Sequence, residues 1–500
     1  MRIASFAPLA LALLAAPVGA QSIATLWTNN CISCHGEDGR GGGAGTQSLL
    51  DEQHRDWLRT AESDRKFFKA IREGHEGTAM PGFKETLSDK QTYGLVVHIR
   101  ELQERARKRS VKAPRPDSAG VVTTQHHAYR VEDVETKGLD VPWGIGFIPQ
   151  GTLITNRPGT MVLVRQGKPT ISITGLPKVY ENGQGGLMDV IAHPEYASNG
   201  WVYISYSASN PDAPKGSGMT HIVRGKLKFE AETIAWTDQQ ILWAPKPEHF
   251  QNGGVHFGNR IVFDPAGVVT EGPDKGKRRI FFGLGERGRA ELAQDMGRPN
   301  GKIYRLNDDG TLPEGNPFAS GEAAATTPYP AIWSLGHRNP QGLVFDLKGN
   351  LWDTEHGPRG GDELNLILKG RNYGWPVVAF SINYNGSTLE TPWPELEGAQ
   401  DKDIAQPTLV WTPSIAACGL ACVTGNAFPN WSGDLLAGGL AGQVVERLRI
   451  KDGVVTEREE IVRGTGRVRD VKTAPDGTIY IALNDPDKVV RLIPAGESKR

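Results

Sequence analysis

Apolar and polar positions along this chain follow two rhythms, and the change falls near Gly138. Before it, apolar residues recur at helical spacing. Ile23 to Cys31 reads as an entering helix, Arg65 to Arg72 as a second, and Tyr93 to Leu102 as an amphipathic third. Ser88 can cap that last helix, with Gln91 three residues on as its capping-box partner. From Gly138 onward the rhythm is that of strands. One element recurs six times: a glycine-containing turn, then a short run of alternating β-formers, at Gly151, Gly200, Lys277, Gly349, Gly433 and Gly477. Each is followed, after a loop, by a second strand, at Met161, His221, Lys302, Glu363, Val444 and Lys488. The pattern predicts an α domain followed by an all-β six-bladed β-propeller. The repeats are unevenly spaced, so long loops are inserted between strands, and such loops on one face build sites.

The ends of these regions set the domain plan. Residues 1–20 read as a secretory signal: Arg2, an apolar stretch from Phe6 to Pro17, and the small residues Val18-Gly19-Ala20 as the cleavage site. The apolar stretch falls short of the ~20 residues a membrane span needs, so cleavage is expected near Ala20. No integral membrane segment is then left, and the protein works in a periplasm-like oxidising compartment. Residues 21–104 form the helical domain. Residues 105–124 form a basic, then Pro-rich, linker, and its crowded Arg105, Arg107, Lys108 and Arg109 read as a solvated tether. Residues 125–500 form the β domain. The net charge of the 500 residues is −1, which argues against a nucleic-acid binder. The 61 glycines and 33 prolines suit many short strands with frequent turns.

Chemistry appears first in Cys31-Ile-Ser-Cys34-His35, the attachment signature of a c-type haem, whose thiols join the vinyl groups while His35 ligates the iron. A thioredoxin-like pair lacks its βαβ setting here, and a zinc site lacks a second ligand pair. Met80, in Thr78-Ala-Met80-Pro-Gly, is the candidate second axial ligand, and a thioether there raises the reduction potential. His54, His75 and His98 are its rivals. Residues 22–105 resemble class I cytochromes c.

The β domain carries polar clusters in loops. Asn252-Gly-Gly-Val-His256-Phe-Gly places a histidine, a candidate general base, at a strand entrance among glycines. Gly285-Glu286-Arg-Gly offers a carboxylate to orient it. Gly336-His-Arg338-Asn339-Pro-Gln-Gly follows, and then Asp353-Thr-Glu-His-Gly357-Pro358-Arg-Gly-Gly-Asp-Glu363, whose hard oxygens suit calcium. Arg467-Val-Arg469-Asp puts two guanidiniums on one face of a strand, a fit for an anionic, carboxylate-bearing ligand. Together with Glu181-Asn-Gly-Gln184-Gly-Gly-Leu and Asn372-Tyr-Gly-Trp-Pro, these segments resemble, in order from Gly138 to Ile493, the soluble aldose dehydrogenases that use pyrroloquinoline quinone (PQQ). The resemblance implies that His256 takes the proton from the anomeric hydroxyl and that Glu286 supports it. Arg338 and Asn339 would hold PQQ and stabilise developing charge. Arg467 and Arg469 would pair with its carboxylates, Gln184 would line the sugar pocket, and the carbonyls of Gly357 and Pro358 would bind calcium.

Two departures stand out. Ala441 occupies a place where the family commonly has a cofactor-contacting Lys, and Glu286 stands where the closest relatives of the soluble glucose enzyme have Asp. Cys418 and Cys422 are expected to form a small-loop disulfide. The leading reading is a quinohaemoprotein dehydrogenase that takes electrons from a sugar or alcohol, through haem c, to a periplasmic acceptor. The alternatives are a non-catalytic carbohydrate- or protein-binding propeller tethered to an electron carrier, and a haem-only enzyme.

Overall fold

The computed structural model describes residues 22–42, 48–50, 61–110, 120–258, 260–389 and 404–496. The signal segment, His54 and part of the expected linker lie outside these. Among the described residues, four helices make the N-terminal domain: α1 (Ile23–Asn30), α2 (Ile32–His35), α3 (Ala61–Glu73) and α4 (Asp89–Ser110). The apolar spacing read from the sequence buries Ile23, Leu26 and Trp27 of α1, Phe68 and Ile71 of α3, and Val96, Val97 and Ile99 of α4 in one core. Ser88 and Gln91 form the reciprocal capping box: Gln91 N donates to Ser88 Oγ at 3.3 Å and Ser88 N to Gln91 Oε1 at 2.9 Å. Gly94 lets α1 come close, because a Cβ there would run into Ile23.

The linker reading needs a correction. α4 continues to Ser110, so Arg105, Arg107, Lys108 and Arg109 are helical rather than part of a tether. Arg107 is mostly buried, in contact with Glu104 and with Glu460 of the β domain, each at 2.6 Å. Among the described residues, no helix is long and apolar enough to cross a membrane.

The rest is strands. Each of the six glycine-turn strands pairs antiparallel with the partner expected for it, as in Leu153 with Leu163, Ile280 with Leu306 and Ile481 with Val490. The described strands form five sheets. Three have four strands each. An eight-stranded sheet joins two four-stranded runs through parallel pairing of Ile171–Thr174 with Ile234–Trp243. In the fifth sheet Ala128–Glu135, from before the first run, pairs with the C-terminal Lys488–Pro494 and ties the start of the β region to its end.

Each run of four begins with an edge strand outside the six hairpins, at Pro142–Ile148, Leu187–Ala192, Ile261–Phe263, Pro340–Phe345, Ala417–Cys422 and Arg467–Thr473, and of these the sequence showed only those at Ile261 and Arg467. These lie against one another in chain order, and the last lies against the first. They are buried on both faces, so they do not alternate. Small residues permit the crowding: a Cβ on Gly342 would sit 2.5 Å from Cys418 O, and one on Gly419 2.6 Å from Asp470 Cα.

The expected disulfide is absent. Cys418 and Cys422 lie at the two ends of one extended strand, both buried and both free. Four residues of strand span about 13 Å, far beyond the roughly 7 Å that a disulfide bridges between Cα atoms.

Candidate active site

His256 lies in the loop before strand Ile261–Phe263, with φ at +53°, a left-handed conformation that costs a non-glycine residue about 1–2 kcal/mol. Neighbours hold it there. Its N–H donates to Gln184 Oε1 at 2.7 Å. The Arg287 guanidinium, 3.5 Å over the Phe257 ring, donates to the carbonyls of Val255, Gly253 and Gly218 on the surrounding loops. The sequence reading assigned Arg287 no role; only the fold shows three loop carbonyls converging on it. Gln184, expected in a sugar pocket, is seen bracing the His256 backbone.

His256 Nδ1 lies 2.6 Å from Glu286 Oε1, and the other Glu286 oxygen accepts from Arg289 N at 2.7 Å. Glu286 N in turn donates to Arg338 O at 2.9 Å, so the carboxylate is built into the neighbouring loop. Burial lowers the pKa of His256, Glu286 opposes this, and the cations of Arg338 and Arg287 add to the lowering. The ring is therefore neutral near pH 7, with its proton on Nδ1 facing the carboxylate and Nε2 free to accept a proton.

Around this pair the structure gathers cations and unspent donors. Arg338 Nη1 donates to His356 O at 3.0 Å and to Gly357 O at 3.1 Å, while its Nε is buried without a partner. Asn339 Oδ1 accepts from Gly258 N and Gln341 Nε2, at 3.1 and 3.3 Å, leaving Nδ2 buried and unpaired. His356 is pushed down to about 3 by burial and then by Arg338, His256 and Arg469, which places all four near one another. Arg469 lies 3.8 Å over the Trp143 ring, with Nη1 3.8 Å from Cys418 Sγ. Arg467 is half-buried and close enough to depress Arg469 further, although the pairing shifts register between Val468 and Asp470. The indole N–H groups of Trp143 and Trp375 are also buried and unpartnered.

Buried donors cost free energy unless they are paired, so this set is suited to an anionic, oxygen-rich, planar ligand, and PQQ fits it. The calcium expectation fits less well. The Gly357 carbonyl already serves the Arg338 guanidinium, and a divalent cation there would meet that positive charge. Ala441 is exposed in the turn after Leu435–Gly439 and contributes no charge.

In the helical domain, Cys31 caps α2 and Cys34 and His35 lie within it, with both thiols free. His35 is half-buried, its Nδ1 lacks a partner and its ring centroid is 6.2 Å from that of Trp27. Met80 and Cys31 pack against the same apolar core, in the neighbourhood a covalent haem requires. His75 is exposed, and His98 is half-buried on α4.

A ring of buried charge stands behind the site. Arg260 is enclosed by Asp189 at 2.9 Å and Asp470 at 3.1 Å, and also donates to Arg469 O at 2.9 Å.

Comparison with known proteins agrees with both halves. The family described as Glucose / Sorbosone dehydrogenase matches residues 139–491, and that described as Cytochrome C oxidase, cbb3-type, subunit III matches residues 19–99. Aldose sugar dehydrogenase YliI of Escherichia coli is 36% identical over 360 residues, covering 71% of this chain and 90% of its own. The apo crystal structure of the soluble aldose sugar dehydrogenase from Escherichia coli superposes with a TM-score of 0.63 at 34% identity, over 73% of this chain and 99% of that one. The PQQ-bound aldose sugar dehydrogenase of Streptomyces coelicolor gives 0.55 at 26% identity, over 73% and 98%.

Proposed function

The chain belongs to the Glucose / Sorbosone dehydrogenase family, here the PQQ-dependent sugar oxidoreductases, and we propose on that footing that it oxidises the anomeric hydroxyl of an aldose to a lactone and passes the electrons through its own c-type haem. The observation that carries this is the neutral His256 imidazole held by the Glu286 carboxylate among buried, unspent donors. We read the six four-stranded runs as the blades of a six-bladed propeller, supported by edge strands that meet in cyclic order. The apolar start of the chain, with its small-residue cleavage site, supports a periplasmic location.

Bound PQQ supplies the hydride acceptor. His256 Nε2 takes the hydroxyl proton as the C–H bond breaks, and Glu286 holds the ring in place and stabilises the imidazolium that forms. Arg338 Nε and Asn339 Nδ2 are the donors left over for charge that develops on the oxygen side. Arg467 and Arg469 are placed to hold carboxylates, and the indoles of Trp143 and Trp375 border the same space. No step is assigned to calcium. Cys31, Cys34, His35 and Met80 would hold the haem, whose chemistry there would be one-electron transfer to an external periplasmic acceptor.

The test is the visible spectrum of the oxidised holoprotein. Reduced haem bands are expected only when PQQ and an aldose are both present. His256→Ala should cut turnover by about 10²–10⁴ while PQQ still binds by calorimetry. Haem reducible by dithionite but by no aldose would refute the substrate assignment.

A further inference from the structure

The helical domain sits on the loop that leaves the candidate site. Glu101 of α4 accepts both arms of Arg359, from Nε and from Nη2, each at 2.9 Å. Such a bidentate pair sets orientation as well as distance. Arg359 directly follows Pro358, and the loop it belongs to starts at His356 and Gly357, whose carbonyls are held by Arg338. One short loop is thus gripped by the site at one end and by the helical domain at the other. The Arg359 N–H donates to Ile382 O at 3.1 Å, and the Ile382 side chain is buried in the helical domain's own core beside Ile23 and Trp27. Ile23 N donates back across the interface to Gly386 O at 3.1 Å.

From this interface an aromatic run leads to the haem ligand. His98 lies one turn before Glu101 on α4, close enough to Arg359 for that cation to help lower its pKa. Its ring is 5.0 Å from Trp27, and Trp27 is 6.2 Å from His35.

We propose that this interface is the electron exit of the sugar site: the Glu101–Arg359 clamp holds the haem domain on the 356–359 loop, and Trp27 and His98 link that loop to His35. The proposal rests on the sugar-oxidising reading above. Each aldose oxidised to lactone yields two electrons and two protons. The electrons reduce ferric haem to ferrous one at a time, an external one-electron acceptor reoxidises it after each, and the protons go to solvent. Glu101 and Arg359 are positioning residues, since neither touches the reacting atoms.

The test uses the full-length holoprotein loaded with PQQ. Stopped-flow haem reduction after mixing with aldose should be first-order and independent of protein concentration. Glu101→Arg sets two cations against each other, and should slow haem reduction about ten-fold or more. Aldose turnover with a soluble dye that takes electrons at the sugar site should stay unchanged. Hydrogen exchange at 380–386 should rise in the same variant. The double variant Glu101→Arg with Arg359→Glu should restore both haem reduction and exchange protection. Unchanged haem reduction in Glu101→Arg, with dye turnover intact, overturns the proposed exit alone. Absence of dye turnover in the unmodified protein overturns the sugar reading and the exit with it.

Discussion

The proposed role of His256 as a base rests on opposing pulls balanced on it. Burial and the nearby guanidiniums of Arg338 and Arg287 lower its pKa below the usual 6.5, and Glu286 restrains the fall. A base must be unprotonated, so kcat/KM should rise with pH along an acid limb below pH 6.5 and be level above it. Glu286→Gln removes the charge and can accept from only one of the two donors that Glu286 serves. Its acid limb should move to lower pH and its plateau fall about ten- to a hundred-fold, read from steady-state dye assays across pH 4.5–8. A limb that stays in place would mean another group titrates. The sequence motifs singled out both residues. They could not show Arg287, because its partners are three backbone carbonyls from two loops, and backbone carries no sequence signal.

At the level of elements, strand Met219–Phe229 carries a pH liability. His221 is held edge-on between Tyr206 and Phe250, at 5.7 and 5.8 Å, with both ring nitrogens unpartnered, and burial pushes it down to about 4. The unfolded chain binds this proton near pH 6.5 and the folded chain only near 4. The stability contribution is therefore complete above about pH 6.5 and is lost as pH falls toward 4. His221→Phe should flatten that part of the Tm-against-pH curve, with the largest gain over the parent near pH 4; parallel curves would refute the assignment. Legibility also divides by element. The α4 cap and the outer hairpins follow local rules of capping, turns and alternation, so their residues state them directly. The edge strands do not, since Pro142–Ile148 and Ala417–Cys422 are buried on both faces and chosen for small size where neighbouring sheets crowd.

In the molecule as a whole, Arg260, just before Ile261–Phe263, ties two edge strands distant in the chain, Leu187–Ala192 through Asp189 and Arg467–Thr473 through Asp470 and the Arg469 carbonyl. All three side chains are almost fully buried, so removing the cation leaves two buried carboxylates to share Lys472, which lies 3.8 Å from Asp189. Arg260→Met should destabilise the β domain by roughly 3–5 kcal/mol, measured by urea unfolding followed through tryptophan fluorescence. A loss under about 1 kcal/mol would show that the acids reprotonate at little cost.

The sequence by itself determined the two-part plan, the Cys31–His35 turn, the six hairpins and the loop residues that meet at the candidate site, because each of these is a local pattern of spacing, turn residues or motif. Tertiary structure alone decided the rest. Closure through Ala128–Glu135 depends on a strand meeting one more than 350 residues away. The Cys418–Cys422 pair stays free because an extended strand holds the thiols apart. The basic stretch after Glu104 proved helical, with Arg107 spent on Glu460, since a charged run reads the same whether water or a distant carboxylate faces it. The contact of Glu101 with Arg359 is of the same kind, a pairing between residues whose local sequence shows only ordinary surface charge.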